Sequence, residues 1–123
     1  MAKKIILLAD EDRMQATLLA FRLKNSGYKV VTAGNGKQAM EYLKEISPDL
    51  ILLSNRLPYM TPDRFAERAG NIPVILIRDS REQPVNFILS EEKVSGVLWK
   101  PVEPNVCLEM IETVAFEFHI QNS

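Results

Sequence analysis

Only one cysteine, Cys107, occurs among the 123 residues, which excludes an internal disulfide and is compatible with a reducing compartment. The single histidine, His119, has no second His, Cys or carboxylate spaced with it as a metal site, and a solvated side chain is its expected state. Neither sign of charge dominates: 15 Lys and Arg against 16 Asp and Glu leave a net charge of -1, which removes any global pull toward nucleic acid. Lys3-Lys4 before Ile5-Ile6-Leu7-Leu8 imitates a leader peptide, but the apolar run is too short and Asp10-Glu11-Asp12 closes it. The protein is therefore read as cytoplasmic, with no membrane partner and no direct contact to nucleic acid. Gly34-Asn35-Gly36-Lys37 lacks the spacing and the Ser/Thr of a phosphate loop and reads as a helix entry.

What is present is an ordinary globular composition, 46% hydrophobic and 25% charged. It is enough for one domain spanning residues 1–123, with no separate output domain. Short apolar runs alternate with helical patterns. Ile5 to Ala9 is a strand candidate, followed by a helix capped by Asp12, with Met14, Leu18 and Phe21 on one side and a stop at Gly27. Lys29 to Thr32 reads as a second strand, and a helix bearing Ala39, Leu43 and Ile46 follows Gly34-Asn35-Gly36. Pro48-Asp49 breaks the chain before a third strand, Leu50 to Leu53, which delivers Ser54 to its end. Thr61 caps a helix with Pro62 at its first position and Phe65, Ala66 and Ala69 on its inner face. Val74 to Ile77 forms a fourth strand ending at Arg78, a fourth helix runs from Pro84 through Ile88 and Leu89, and Val97 to Trp99 is a fifth strand. The last helix starts near Pro104 and carries Cys107, Ile111, Val114 and Phe118 as a packing stripe.

Five strands alternating with five helices imply a flavodoxin-like, doubly wound parallel sheet covered on both faces, a three-layer α/β/α fold. Right-handed crossovers bring every strand's C-terminal end to one rim, which gathers Asp10, Glu11, Ser54, Arg78 and Lys100.

That order of elements resembles the receiver domain of bacterial two-component response regulators. The matching segments are Ile6 to Asp12, Ala33 to Ala39, Pro48 to Leu53, Leu57-Pro58-Tyr59-Met60, Pro73 to Ile77 and Leu98-Trp99-Lys100-Pro101. No single one is specific, but all stand in register over the whole chain.

The resemblance implies a Mg²⁺ site at Asp10 and Glu11, a phosphoacceptor aspartate where Ser54 stands, and a hydroxyl residue where Arg78 stands. It further implies a conserved-type lysine at Lys100, a cis peptide between Lys100 and Pro101, and an aromatic switch residue at the position of Val97. Three of these positions depart from the pattern. A serine hydroxyl near neutrality needs a base before it can attack phosphorus, whereas a carboxylate does not. Ser54 also removes a charge and a strong metal ligand, so Mg²⁺ binding is weak or lost and no cofactor is required. Arg78 is either a solvated loop residue or, with Lys100, a bridge to Asp10 or Glu11 that fills the metal and phosphoryl space.

The expected function is that of a degenerate receiver, non-enzymatic and not switched by aspartyl phosphorylation, which acts as a protein-interaction module on a histidine kinase or a downstream regulator. The resemblance puts the partner face around Val85, Ile88, Trp99, Val106 and Met110, and a homodimer could use the same face. One alternative is a working phosphorelay receiver with Ser54 as an unusual acceptor and Mg²⁺. Another is a small flavodoxin-like nucleotide or flavin binder, for which no Gly-rich loop or paired nucleophile and base is present.

Overall fold

A strand buried on both faces must be apolar at consecutive positions, and the chain holds such runs at regular intervals. In the computed structural model, which describes residues 3–59, 61–79 and 94–121, they become β1 (Ile5–Ala9), β2 (Lys29–Ala33), β3 (Leu50–Ser54), β4 (Val74–Arg78) and β5 (Gly96–Trp99). All neighbouring pairs are parallel, in the order β2-β1-β3-β4-β5. Four helices are described: α1 (Arg13–Asn25), α2 (Gly36–Glu45), α3 (Pro62–Ala69) and α4 (Pro104–Gln121). The helix expected from Pro84, with Val85 and Ile88, lies outside the described residues.

Side chains of a strand alternate between faces, and that alternation divides the core in two. Ile6, Leu8, Leu50, Leu52, Ile75 and Ile77 pack with Leu19 and Leu23 of α1 and with Cys107, Ile111 and Val114 of α4. Leu7, Ala9, Ile51, Leu53 and Val74 pack on the other side with Ala39 of α2 and with Phe65 and Ala69 of α3.

Local chemistry sets the helix starts. The side chains of Asp12, Asn35 and Thr61 accept hydrogen bonds from the backbone N–H of Gln15, Gln38 and Arg64, satisfying donors that the first turn leaves open. Pro62 stands at the start of α3, where its missing N–H costs nothing. Beyond α1, Gly27 has φ 101°, a left-handed conformation that suits glycine.

Met14, Leu18 and Phe21 do share one side of α1, but it is the solvent side, where they are 75%, 63% and 62% exposed. The buried side is Ala16, Leu19, Ala20 and Leu23. Both stripes recur at helical spacing, so periodicity alone does not choose between them.

Cys107 is fully buried, and burial pushes its thiol up to about 12, so no thiolate is available at neutral pH. No helix among the described residues is long and apolar enough to cross a membrane.

Among the described residues Phe65 is the largest fully buried side chain, and it joins α3 to the β1 and β3 surface. Phe65→Ala is expected to lower unfolding free energy by about 3–5 kcal/mol, read from the urea midpoint with an unchanged slope.

Candidate functional site

Because every strand runs the same way, the segments leaving β1, β3, β4 and β5 meet at one rim, and backbone hydrogen bonds fix where each leaves. The Asp10 N–H donates to the Ala33 carbonyl at 2.9 Å, extending the β1–β2 ladder beyond the strand. Ser54 is the last residue of β3, in register with Ile77 of β4. The Lys100 N–H donates to the Arg78 carbonyl at 2.8 Å, carrying the β4–β5 ladder into the following loop.

The side chains then close on one another. Lys100 Nζ donates to Asp10 Oδ1 and to Glu11 Oε2, each at 2.9 Å. Ser54 Oγ donates to the other Glu11 oxygen, Oε1, at 2.6 Å and accepts from the Arg56 N–H at 3.2 Å. Asp10 Oδ1 also accepts from the Asp12 N–H at 3.0 Å. The Asp10 and Lys100 side chains are 5% and 7% exposed and Ser54 is fully buried, so the cluster is largely removed from water. A polar cavity of about 480 Å³, lined in part by Arg13, Thr17, Asn35 and Gln38, opens on the β2 side of Asp10 and Glu11.

Burial alone would favour the neutral form of every member. For Asp10, burial outweighs the hydrogen bonds from Asp12 and Lys100, and its carboxyl is raised above the ordinary carboxylate value. For Glu11, which is less buried, burial is overcome by the hydrogen bonds from Ser54 and Lys100, and its carboxyl is lowered. Burial pulls Lys100 down, but hydrogen bonds and attraction from both acids more than reverse this and leave it raised. Glu11 therefore holds a cation as a carboxylate and is a poor base for Ser54.

The Arg78 guanidinium lies 5.1 Å from the centre of the Trp99 ring, a cation–π placement on the sheet's β5 side, and Lys100 bridges both acids. Strand register accounts for this, since Arg78 pairs with Trp99 across β4 and β5. Trp99 and Val106 are 54% and 49% exposed, while Met110 is half-buried against the core with its sulfur beside Gly96. Val97 is 36% exposed on β5. The Lys100–Pro101 peptide is cis.

Sequence reasoning missed Asp79. It is 3% exposed, immediately follows β4, and pairs with Arg56 at 3.7 Å. The available signal was its place directly after a strand end on the same rim.

The donor set can be weighed against Mg²⁺. The two acids are suited to a hard cation, but each already turns an oxygen to Lys100 Nζ, and Ser54 gives a hydroxyl where a further carboxylate would be needed. Among the described residues no group of three or more His, Cys, Asp or Glu is placed to hold a metal ion. The residues present fit an ammonium better than a divalent ion.

The network makes a signed prediction. With its carboxyl lowered, Glu11 stabilises the fold above its unfolded value and loses that contribution as pH falls through the folded value; raised Lys100 contributes across the neutral range. Lys100→Met leaves two adjacent anions without a cation, and is expected to cost about 3–5 kcal/mol at neutral pH. The loss should shrink as pH falls from neutral and one carboxyl takes up a proton, which urea unfolding over a series of pH values measures.

Comparison with known proteins bears on the family and the fold. The family model described as "Response regulator receiver domain" matches residues 6–112. Over 108 residues the chain is 43% identical to the alkaline phosphatase synthesis transcriptional regulatory protein PhoP of Bacillus subtilis, covering 85% of this chain and 45% of PhoP. It is 28% identical over 103 residues to the DNA-binding response regulator MtrA of Mycobacterium tuberculosis, covering 80% of this chain and 45% of MtrA. The chain thus spans about half the length of these curated relatives. Among solved structures, the N-terminal domain of a response regulator/sensory box/GGDEF 3-domain protein from Carboxydothermus hydrogenoformans superposes with a TM-score of 0.83 at 23% identity, covering 98% of this chain and 100% of that one. Chemotaxis response regulator CheY4 of Vibrio cholerae gives 0.76 at 20% identity, covering 92% and 99%. Because the family model covers most of its length, the chain belongs to the response regulator receiver domain family, the receiver modules of two-component signalling.

Proposed function

We propose that this receiver has lost its phosphoryl switch and acts as a constant protein-interaction module in a two-component pathway. The observation that carries the reading is the Ser54–Glu11–Lys100–Asp10 network, in which the ammonium and the hydroxyl satisfy the oxygens that a metal and a phosphoryl group would engage. Ser54 spends its proton on Glu11 and accepts from Arg56, and the lowered carboxyl of Glu11 leaves no effective base to activate it. Asp10 and Glu11 then serve as counter-ions for Lys100, and Mg²⁺ binding at them is weak or lost. The role is non-catalytic, and the chain works through a histidine kinase or a downstream regulator.

The partner face is the β5 edge with the adjoining side of α4. There Trp99, with Arg78 over its ring, and Val106 stand exposed, and Met110 is half-buried against the core beside Gly96. An amphipathic ring stiffened by a guanidinium is a suitable anchor for a protein surface.

Two measurements test this. Incubation with acetyl phosphate and Mg²⁺ followed by intact-mass measurement is expected to give no adduct, and a stoichiometric gain of about 80 Da on Ser54 would establish it as a working acceptor instead. Trp99→Ala should weaken binding to the cognate two-component partner about tenfold or more with the thermal unfolding midpoint unchanged. Unaltered binding would place the contact elsewhere.

A further inference from the structure

We infer that the polar cavity beside Asp10 and Glu11 is a binding site for a small zwitterion, a free α-amino acid with an uncharged polar side chain. Its ammonium meets the acids and its carboxylate meets Arg13. The inference does not rest on whether Ser54 accepts a phosphoryl group, and it makes no use of the Trp99 face.

The cavity lies between the end of β1, the start of α1, the end of β2 and the start of α2. Its volume of about 480 Å³ falls in the range of small-molecule sites, roughly 300–1,000 Å³. Burial is graded along it. Asp10 is 4% exposed, Glu11 and Asn35 are half-buried, and Arg13, Thr17 and Gln38 are exposed. Negative charge therefore sits at depth and positive charge at the mouth.

The hydrogen bonds already made define what is left for a ligand. Lys100 and Asp12 both donate to Asp10 Oδ1, so Oδ2 takes no bond from the described residues, and it is not sealed from water-sized space. One ammonium against two acids leaves the inner end short of a cation. Asn35 Oδ1 accepts from the Gln38 N–H and Gln38 Oε1 accepts from the Gly34 N–H, each at 2.8 Å, which leaves both amide NH₂ groups unspent. The Arg13 guanidinium takes no partner among the described residues. A guanidinium with two amides is a donor set that suits a carboxylate.

An anion alone would be repelled by Asp10 and Glu11, and a cation alone by Arg13. A molecule with both charges a few bonds apart serves both ends and adds no net charge. Thr17 Oγ1 donates to the Arg13 carbonyl at 2.8 Å and keeps its acceptor capacity, and the Thr32 hydroxyl also lines the cavity. Both suit a polar side chain without charge.

Isothermal titration calorimetry of the chain with L-serine, L-threonine, L-asparagine and L-glutamine tests the site. At least one should bind saturably at one per chain. The carboxamide of that amino acid, which lacks the carboxylate, and its deamino acid, which lacks the ammonium, should each bind about tenfold or more weakly. Arg13→Gln should weaken binding about tenfold, whereas Lys44→Gln, the same charge change at the far end of α2, should leave it unaltered, with circular dichroism as the folding control. No saturable heat from any of the four up to millimolar concentration would overturn the proposal. So would a deamino acid that binds as tightly as its amino acid, which would mark a simple anion site, or binding indifferent to Arg13→Gln.

Discussion

Asp10 and Glu11 are consecutive acids at the end of a buried strand, and two such carboxylates cannot both remain ionised in a water-poor cleft without a cation between them. Lys100 supplies it, with one ammonium 2.9 Å from an oxygen of each. The contact joins the end of β5 to the end of β1, with β3 and β4 lying between them in the sheet. Ser54 closes the remaining oxygen of Glu11 from the end of β3. The rim is thereby a single electrostatic unit, and the conformation of the loops that leave it depends on that unit staying paired.

The same unit explains why the departures from the receiver pattern belong together in the proposed reading. An aspartate at position 54 would add a third anion to the cleft and demand a divalent ion. A serine matches one ammonium and two carboxylates with no further charge. Arg78 is paired with Trp99 by the β4–β5 register, and its guanidinium covers that ring on the flank. On the proposed reading, a family design in which the rim changes state becomes one in which rim and flank hold a fixed shape, and recognition is left to surface side chains.

Much of the fold was legible because its signals are local and redundant. Each buried strand is an apolar run, and Asp12, Asn35 and Thr61 with Pro62 mark where helices begin. The gathering of Asp10, Glu11, Ser54 and Lys100 followed from parallel topology, since strand ends must meet on one side. The orientation of α1 was not legible: Met14, Leu18 and Phe21 recur at helical spacing as Ala16, Leu19, Ala20 and Leu23 do, and the larger residues face water. Asp79 escaped notice because an acid after a strand is usually solvated, and only the surrounding packing and Arg56 reveal that it is buried.

The sequence by itself determined the five strands, the two-sided burial of the sheet and the meeting of Asp10, Glu11, Ser54 and Lys100 at its rim, because periodicity, caps and turn residues act over a few positions. Only the tertiary structure decided which cation meets which acid. Arg78 ends β4 and Lys100 follows β5, and both could reach carboxylates on charge alone. Strand register and a loop of fixed geometry brought Lys100 Nζ to Asp10 and Glu11 and left Arg78 over Trp99. That choice depends on positions set by residues tens of places apart in the chain, and no local pattern encodes it.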